Sequence, residues 1–240
     1  ELDQIARKIY DHLQAIVPTD TFAIGLFNQT QDEVDFIFAM HKGQRLPTPS
    51  SHQQTSGRPS AWCLQQQQEF IAACPEDWAK FGMQASDCLN GAATQTVICE
   101  PLIAGTQVLG ILTLQSDQPH AFNNDQINIV RIITSHAAVA VSNALSFQQL
   151  SETRQRFEMA MIGANAGSWE LNNETGQLIT NDIWATLLGY SPQQLTDLYG
   201  HGIEQLSQLV HPDDLMMARA AFVQHLKGYT DIYRVELRMK

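Results

Sequence analysis

Apolar residues Leu2, Ile5, Ile9, Leu13 and Ile16 recur every three or four positions, which predicts a helix with one apolar face, closed by Pro18. Thr21-Phe-Ala-Ile-Gly-Leu-Phe27 and Val34-Asp-Phe-Ile-Phe-Ala-Met40 are rich in strand formers and flank a short polar stretch, so they read as a hairpin. Residues 41–58 hold Pro, Gly, Ser, Thr and Gln and predict a long loop. A helix opens at Pro59, with proline suited to a first turn. Glu69 to Ala73 reads as a short strand and Pro75 to Phe81 as a helical turn. Thr96 to Ile103 and Gln107 to Gln115 are strands around a tight turn at Ala104-Gly105-Thr106.

From Asn123-Asn124-Asp125, good helix-capping residues, no breaker occurs before Gly163. That predicts one helix of about 40 residues, roughly 60 Å long. Its first half is apolar on more than one face, through Ile129, Ile132, Ile133, Ala137, Ala140, Val141 and Ala144. One face suits the chain's own sheet, and the opposite face then needs another partner. Its second half, Gln148 to Arg156, is polar, with Leu150 and Phe157 seven apart. Ala137, Val141, Leu145, Leu150 and Phe157 are the expected contacts of a homodimer formed through helix 123–162. The predicted division is a first domain over 1–147, a connecting helix over 148–162 and a second domain over 163–240.

Beyond Gly163, two short strands at 167–171 and 177–180 surround a polar turn. Asn181 to Leu188 reads as a short helix, and 195–210 as two helical pieces. His211-Pro-Asp-Asp214 opens a helix to Gly228, with proline and two acidic residues suited to its first turn. Tyr229 to Met239 alternates as a strand. The fold class is α+β, two antiparallel sheets with flanking helices joined by one long helix.

Composition narrows the function. The 240 residues carry 14 Lys+Arg against 25 Asp+Glu, a net charge of −11, with polar surface supplied by 26 glutamines. Without clustered cations the chain is a poor partner for nucleic acid or an anionic membrane. The apolar stretch from Ile127 to Leu145 is broken by Arg131, His136 and Asn143 and does not read as a membrane span. No secretory leader is visible, and the chain reads as a cytoplasmic piece of something longer. Cys63, Cys74, Cys88 and Cys99 lack metal-ligand spacing and read as apolar fillers in a reducing compartment.

The pattern Thr21 to Phe27, Glu100-Pro-Leu-Ile103, Val108 to Gln115, Ala121-Phe-Asn-Asn-Asp125 and Ala137 to Ala144 resembles a GAF domain. Gly167-Ser-Trp-Glu-Leu171, Trp184, Leu187-Leu-Gly-Tyr190, His211 to Asp214 and Arg234 to Arg238 resemble a PAS domain lacking its last strands. The resemblance implies sensory and dimerisation units of bacterial signalling proteins. It also implies a PAS sheet of which about three of five strands are present. A C-terminal output domain usually follows such a tandem. Diguanylate cyclase is the preferred output, with histidine kinase second, and neither lies in these residues.

No nucleophile elbow, zinc-protease motif or phosphate loop appears. Bilin-binding relatives use a cysteine usually followed by histidine, and none of the four cysteines here is. Residues 151–240 hold no cysteine for flavin photochemistry, and His136, among Ile133, Ala137 and Ala140, suits an interface better than a haem. The GAF-like half offers Phe36, Phe38, Trp62 and Phe70, between its sheet and segment 41–95, as lining of a small-molecule pocket. Trp169, Trp184 and Tyr190 do the same in the PAS-like half. Core filling accounts for the same side chains. Three readings stand: a regulatory sensor, an enzyme with an unrecognised site, and a ligand-free dimerisation unit. No metal site is expected.

Overall fold

The computed structural model describes residues 2–28, 33–47, 58–83, 94–200 and 202–239. The first hairpin's tip, most of the 41–58 loop, Cys88 and His201 lie outside the described residues. The chain divides into two compact units, Glu1–Leu150 and Ser151–Lys240.

The first unit is built on one antiparallel sheet. Its strands are β1 (Thr21–Asn28), β2 (Glu33–His41), β3 (Gln44–Arg45), β4 (Phe70–Ala72), β5 (Thr96–Ala104) and β6 (Gln107–Ser116), in the order β3-β2-β1-β6-β5-β4. Helix α1 (Leu2–Ile16) places Ala6, Ile9, Tyr10 and Leu13 on one sheet face. There they meet Phe22, Ile24, Phe38, Ile98, Leu102, Leu112 and Leu114. Helices α2 (Pro59–Gln66) and α3 (Pro75–Lys80) cover the other face, where Cys63, Leu64 and Trp78 pack on Phe70, Val97, Cys99 and Ile111. Both faces are thus covered, which explains why β1 begins with five consecutive buried residues instead of alternating.

Helix α4 (Asn124–Gly163) runs unbroken for 40 residues. Asn123 caps it: its Oδ1 accepts from the Gln126 backbone N–H, and Gln126 Oε1 accepts from the Asn123 N–H. Val130, Thr134, Ala137, Ala138, Val141 and Ala144 are buried at three- and four-residue spacing. By length and composition α4 could cross a membrane. In the first unit, however, its apolar arc is spent on the unit's own core, and Arg131 bonds to Glu69.

In the second unit β7 (Trp169–Leu171) and β8 (Leu178–Thr180) form a two-stranded ladder around a turn. Asn172 Oδ1 holds the turn by accepting from the Glu174 and Thr175 N–H groups. Helices α5 (Asp182–Leu187), α6 (Pro192–Tyr199) and α7 (Ile203–Leu209) follow. Ser191 and Gln194 make a capping box on α6. A 3-10 turn, Pro212–Asp214, leads into α8 (Leu215–Leu226). The core centres on Ala185, Leu195 and Leu209.

The expected strand over 229–239 does not form. Met239 makes an isolated bridge with Val210, and the rest is irregular. Alternation makes a strand only where a neighbour supplies a ladder, and among the described residues none does. Asp214 holds the segment instead, accepting from the Arg238 backbone N–H at 2.9 Å and its guanidinium at 2.7 Å. The Arg238 side chain thereby holds the Asp214 carboxyl well below the usual carboxylate range. His211 Nδ1 accepts from the Asp213 N–H at 3.3 Å, so this motif starts a helical turn.

Candidate functional site

Among the described residues, the strongest clustering of aromatic side chains lies between the first unit's sheet and α2–α3. Trp62 on α2, Phe70 on β4, Trp78 on α3 and Phe81 just after it stack edge-on or tilted. Centroid separations run from 4.7 Å for Phe70–Phe81 to 5.9 Å for Phe70–Trp78. Pro59 starts α2, and a left-handed Gln67 ends it and turns the chain into β4. Trp78 Nε1 donates to the Gln95 carbonyl at 3.0 Å, which satisfies its polar edge and fixes the ring. Cys63 and Cys99 fill the floor, with the Cys63 thiol donating to the Cys99 carbonyl at 3.4 Å. Cys74 sits apart at the start of α3. A hydrogen bond with Glu76 raises its pKa, which leaves it a poor thiolate.

The structure brings together only part of the expected lining. Trp62, Phe70 and Phe36 share this face, but Phe38 does not. A β-bulge is the reason. Ile24 pairs with Phe38 and Gly25 with Phe36, so Ile37 is an extra residue in β2. Phe36 and Phe38, two apart, therefore face opposite sides of the sheet. Phe38 packs on Tyr10 and Phe22, at 6.1 and 6.0 Å, in the α1 and α4 core. Trp78 and Phe81 were not anticipated as part of the cluster. The three-residue spacing of Pro75, Trp78 and Phe81, which puts both rings on one side of a helical turn, is the signal in the sequence.

In the second unit Trp184 and Tyr190 pack on the small core with Leu188 and Tyr199. The Tyr190 and Tyr199 hydroxyls are 3.3 Å apart. Trp184 Nε1 is buried with no hydrogen-bond partner among the described residues. Trp169 belongs elsewhere, stacked edge-on against Tyr233 at 6.1 Å.

The expected dimer contacts also divide. Ala137 and Val141 are buried in the first unit's own core, and Leu145 is half-buried against it. Leu150 and Phe157 are exposed, at 68% and 61%. Ile132 and Val139, at 59% and 53%, share their face. At about 100° per residue, the spacings of 7, 11 and 7 put Ile132, Val139, Leu150 and Phe157 on one line, opposite the buried arc. His136 is exposed on α4. No group of three or more His, Cys, Asp or Glu placed to hold a metal ion occurs among the described residues.

Comparison with known proteins agrees with this architecture. Residues 1–142 match the GAF domain model, and residues 177–240 match the PAS fold. Over 89 residues the chain is 28% identical to the formate hydrogenlyase transcriptional activator FhlA of Escherichia coli K12, covering 37% of this chain and 13% of that protein. Over 121 residues it is 30% identical to the anaerobic nitric oxide reductase transcription regulator NorR of Escherichia coli O139:H28, covering 46% and 22%. The aligned regions thus span less than a quarter of either relative. The GAF domain of a two-component sensor histidine kinase from Bacillus halodurans superposes with a TM-score of 0.53 at 17% identity, over 62% of this chain and 98% of that one. Both matched families are sensory domains of signalling proteins. The chain belongs to the GAF domain family, and a PAS fold follows its GAF domain.

Proposed function

We propose that this chain is the signal-receiving segment of a longer cytoplasmic regulator, working as a homodimer that passes a change in the GAF unit along α4. One observation carries the reading: α4 spends one face on its own core and presents a line of exposed apolar residues on the other. A solvated helix has no use for such a line, whereas a second copy of the same helix does. A stimulus acts by binding one arrangement of the pair better than another. For the output, the sequence pattern favours a diguanylate cyclase, then a histidine kinase. FhlA and NorR are named as transcription regulators, a third class of output that counts against the cyclase preference. Reading the coding region that follows residue 240 decides among the three.

Sedimentation of the chain at micromolar concentration tests the dimer. The wild type is expected as a dimer and Leu150→Glu as a monomer, with unchanged circular dichroism. A monomeric wild type, or an undisturbed Leu150→Glu dimer, rejects the reading. A second reading, a dimerisation unit without ligand, is favoured by the way Trp62, Phe70, Trp78 and Phe81 fill the space beneath α2 with each other's rings. Mass spectrometry of small molecules that co-purify separates the two.

A further inference from the structure

Glu100 lies in β5 with 7% of its surface exposed, the one acidic side chain in the buried set among the described residues. The β4–β5 ladder pairs Phe70 with Cys99 and Ile71 with Ile98, so Glu69, one residue before β4, stands opposite Glu100. Phe70 and Cys99 face α2 and α3. Strand alternation sends Glu69 and Glu100 to the face that α4 covers. There Arg131 of α4 forks onto Glu69, Nε to Oε2 and Nη2 to Oε1, both at 2.6 Å. Its Nη1 donates to Asn128 Oδ1 at 2.6 Å. The Glu100 carboxyl thus faces the Glu69 carboxyl across the ladder, and Glu100 Oε1 is buried with no hydrogen-bond partner among the described residues.

Two carboxylates directly opposed across an antiparallel pair repel each other. Arg131 brings one positive charge, already committed to Glu69. A buried carboxylate with an unpartnered oxygen is strongly disfavoured, while a neutral carboxyl there is tolerated. We propose that Glu69 and Glu100 share one proton that pins edge strand β4 to β5 while Glu69 holds Arg131, making the pair a proton-operated latch between the α2–β4 segment and α4. The latch is a property of the GAF unit alone. Its use in signalling rests on the role proposed above for α4, and measurements on β4 test the latch whether or not that role holds.

The charged groups acting on Glu100 are Glu69 from the start of β4 and Arg131 from α4, and across the β5–β6 ladder it meets Leu112. Burial, followed by the hydrogen bond and charge of Glu69, pushes Glu100 from 4.5 up to about 8. Arg131 pulls Glu69 the other way and keeps it ionised. A carboxyl whose folded pKa is raised gives its full stabilisation below about pH 4.5 and loses it as the pH climbs to about 8. The latch is therefore closed at mildly acidic and neutral pH and released in alkali.

Infrared spectra of the full chain at about pH 7 are expected to show a buried carboxylic-acid carbonyl band. It should be missing in Glu100→Gln and fade in the wild type beyond about pH 8. Amide hydrogen exchange at Phe70–Ala72, corrected for its intrinsic pH dependence, should quicken on the order of tenfold between about pH 6.5 and about pH 9. Exchange in β1 and β6 should not, and in Glu100→Gln β4 should stay slow. A wild type without the acid band at neutral pH, or β4 exchange that follows β1 across the range, overturns the proposal. The wild-type measurements decide it alone should the variant fail to fold.

Discussion

At the residue scale, two positions carry more of the fold than their size suggests. Gly110 in β6 sits against the Gly25 backbone of β1, and a Cβ there would overlap the Gly25 carbonyl oxygen. Gly110→Ala must force apart the two central strands, and is expected to cost about 1–3 kcal/mol in urea unfolding, as overpacking does. Asn181 stands between β8 and α5 and ties the start of α5 to the residues that precede β7. Its Oδ1 accepts from the Ser168 and Trp184 N–H groups, and its Nδ2 donates to the Ala166 carbonyl. Asn181→Ala should cost the second unit about 2 kcal/mol, the upper end for a helix cap, and Asn181→Asp less, because the accepting oxygen survives. Single residues are also where the sequence was hardest to read. Alternation puts Phe36 and Phe38 on one face, and a single inserted residue, Ile37, separates them. A bulge changes no composition and leaves the hydrophobic pattern unmarked, so the pattern groups Phe36 with Phe38 where the strand separates them.

At the scale of elements, α4 separates what periodicity can specify from what it cannot. Its start, its end and its continuity follow from capping residues and the lack of breakers. The division of its apolar residues between own core and outer face depends on where the sheet lies, which the sequence of the helix does not encode. Val139 and Val141 make the difference measurable. Val141 is 1% exposed in the core, and Val139 lies on the outer line. Val141→Glu buries an unpaired charge and should unfold the first unit, seen as lost ellipticity and aggregation. Val139→Glu should leave the melting of dilute monomer within about 0.5 kcal/mol of wild type while abolishing self-association. Equal effects of the two substitutions would mean that α4 has no free face. The 229–239 segment teaches the complementary lesson. It carries a strand's alternation, but a strand is a relation between two chain segments, and here Arg238 is held by Asp214 instead.

At the scale of the whole chain, the two units differ in how much they bury. The first has two sizeable clusters, one on each sheet face, with Trp78, Phe22, Phe38 and Phe70 fully enclosed. The second centres on Ala185, Leu195 and Leu209, and α8 buries none of its residues while Met216 and Met217 stay exposed. Stability scales with apolar surface removed from water, so the second unit must be the weaker. Heating the chain should therefore produce two transitions, the second unit melting first. Tryptophans report on each separately. Trp62 and Trp78 lie in the first unit and Trp169 and Trp184 in the second, so a Trp169→Phe, Trp184→Phe double variant leaves fluorescence sensitive to the first unit alone. Its fluorescence midpoint should then lie above the first calorimetric transition and coincide with the second. If all probes instead melt together, α4 makes the two units a single cooperative body, and any stimulus that loosens one necessarily loosens the other.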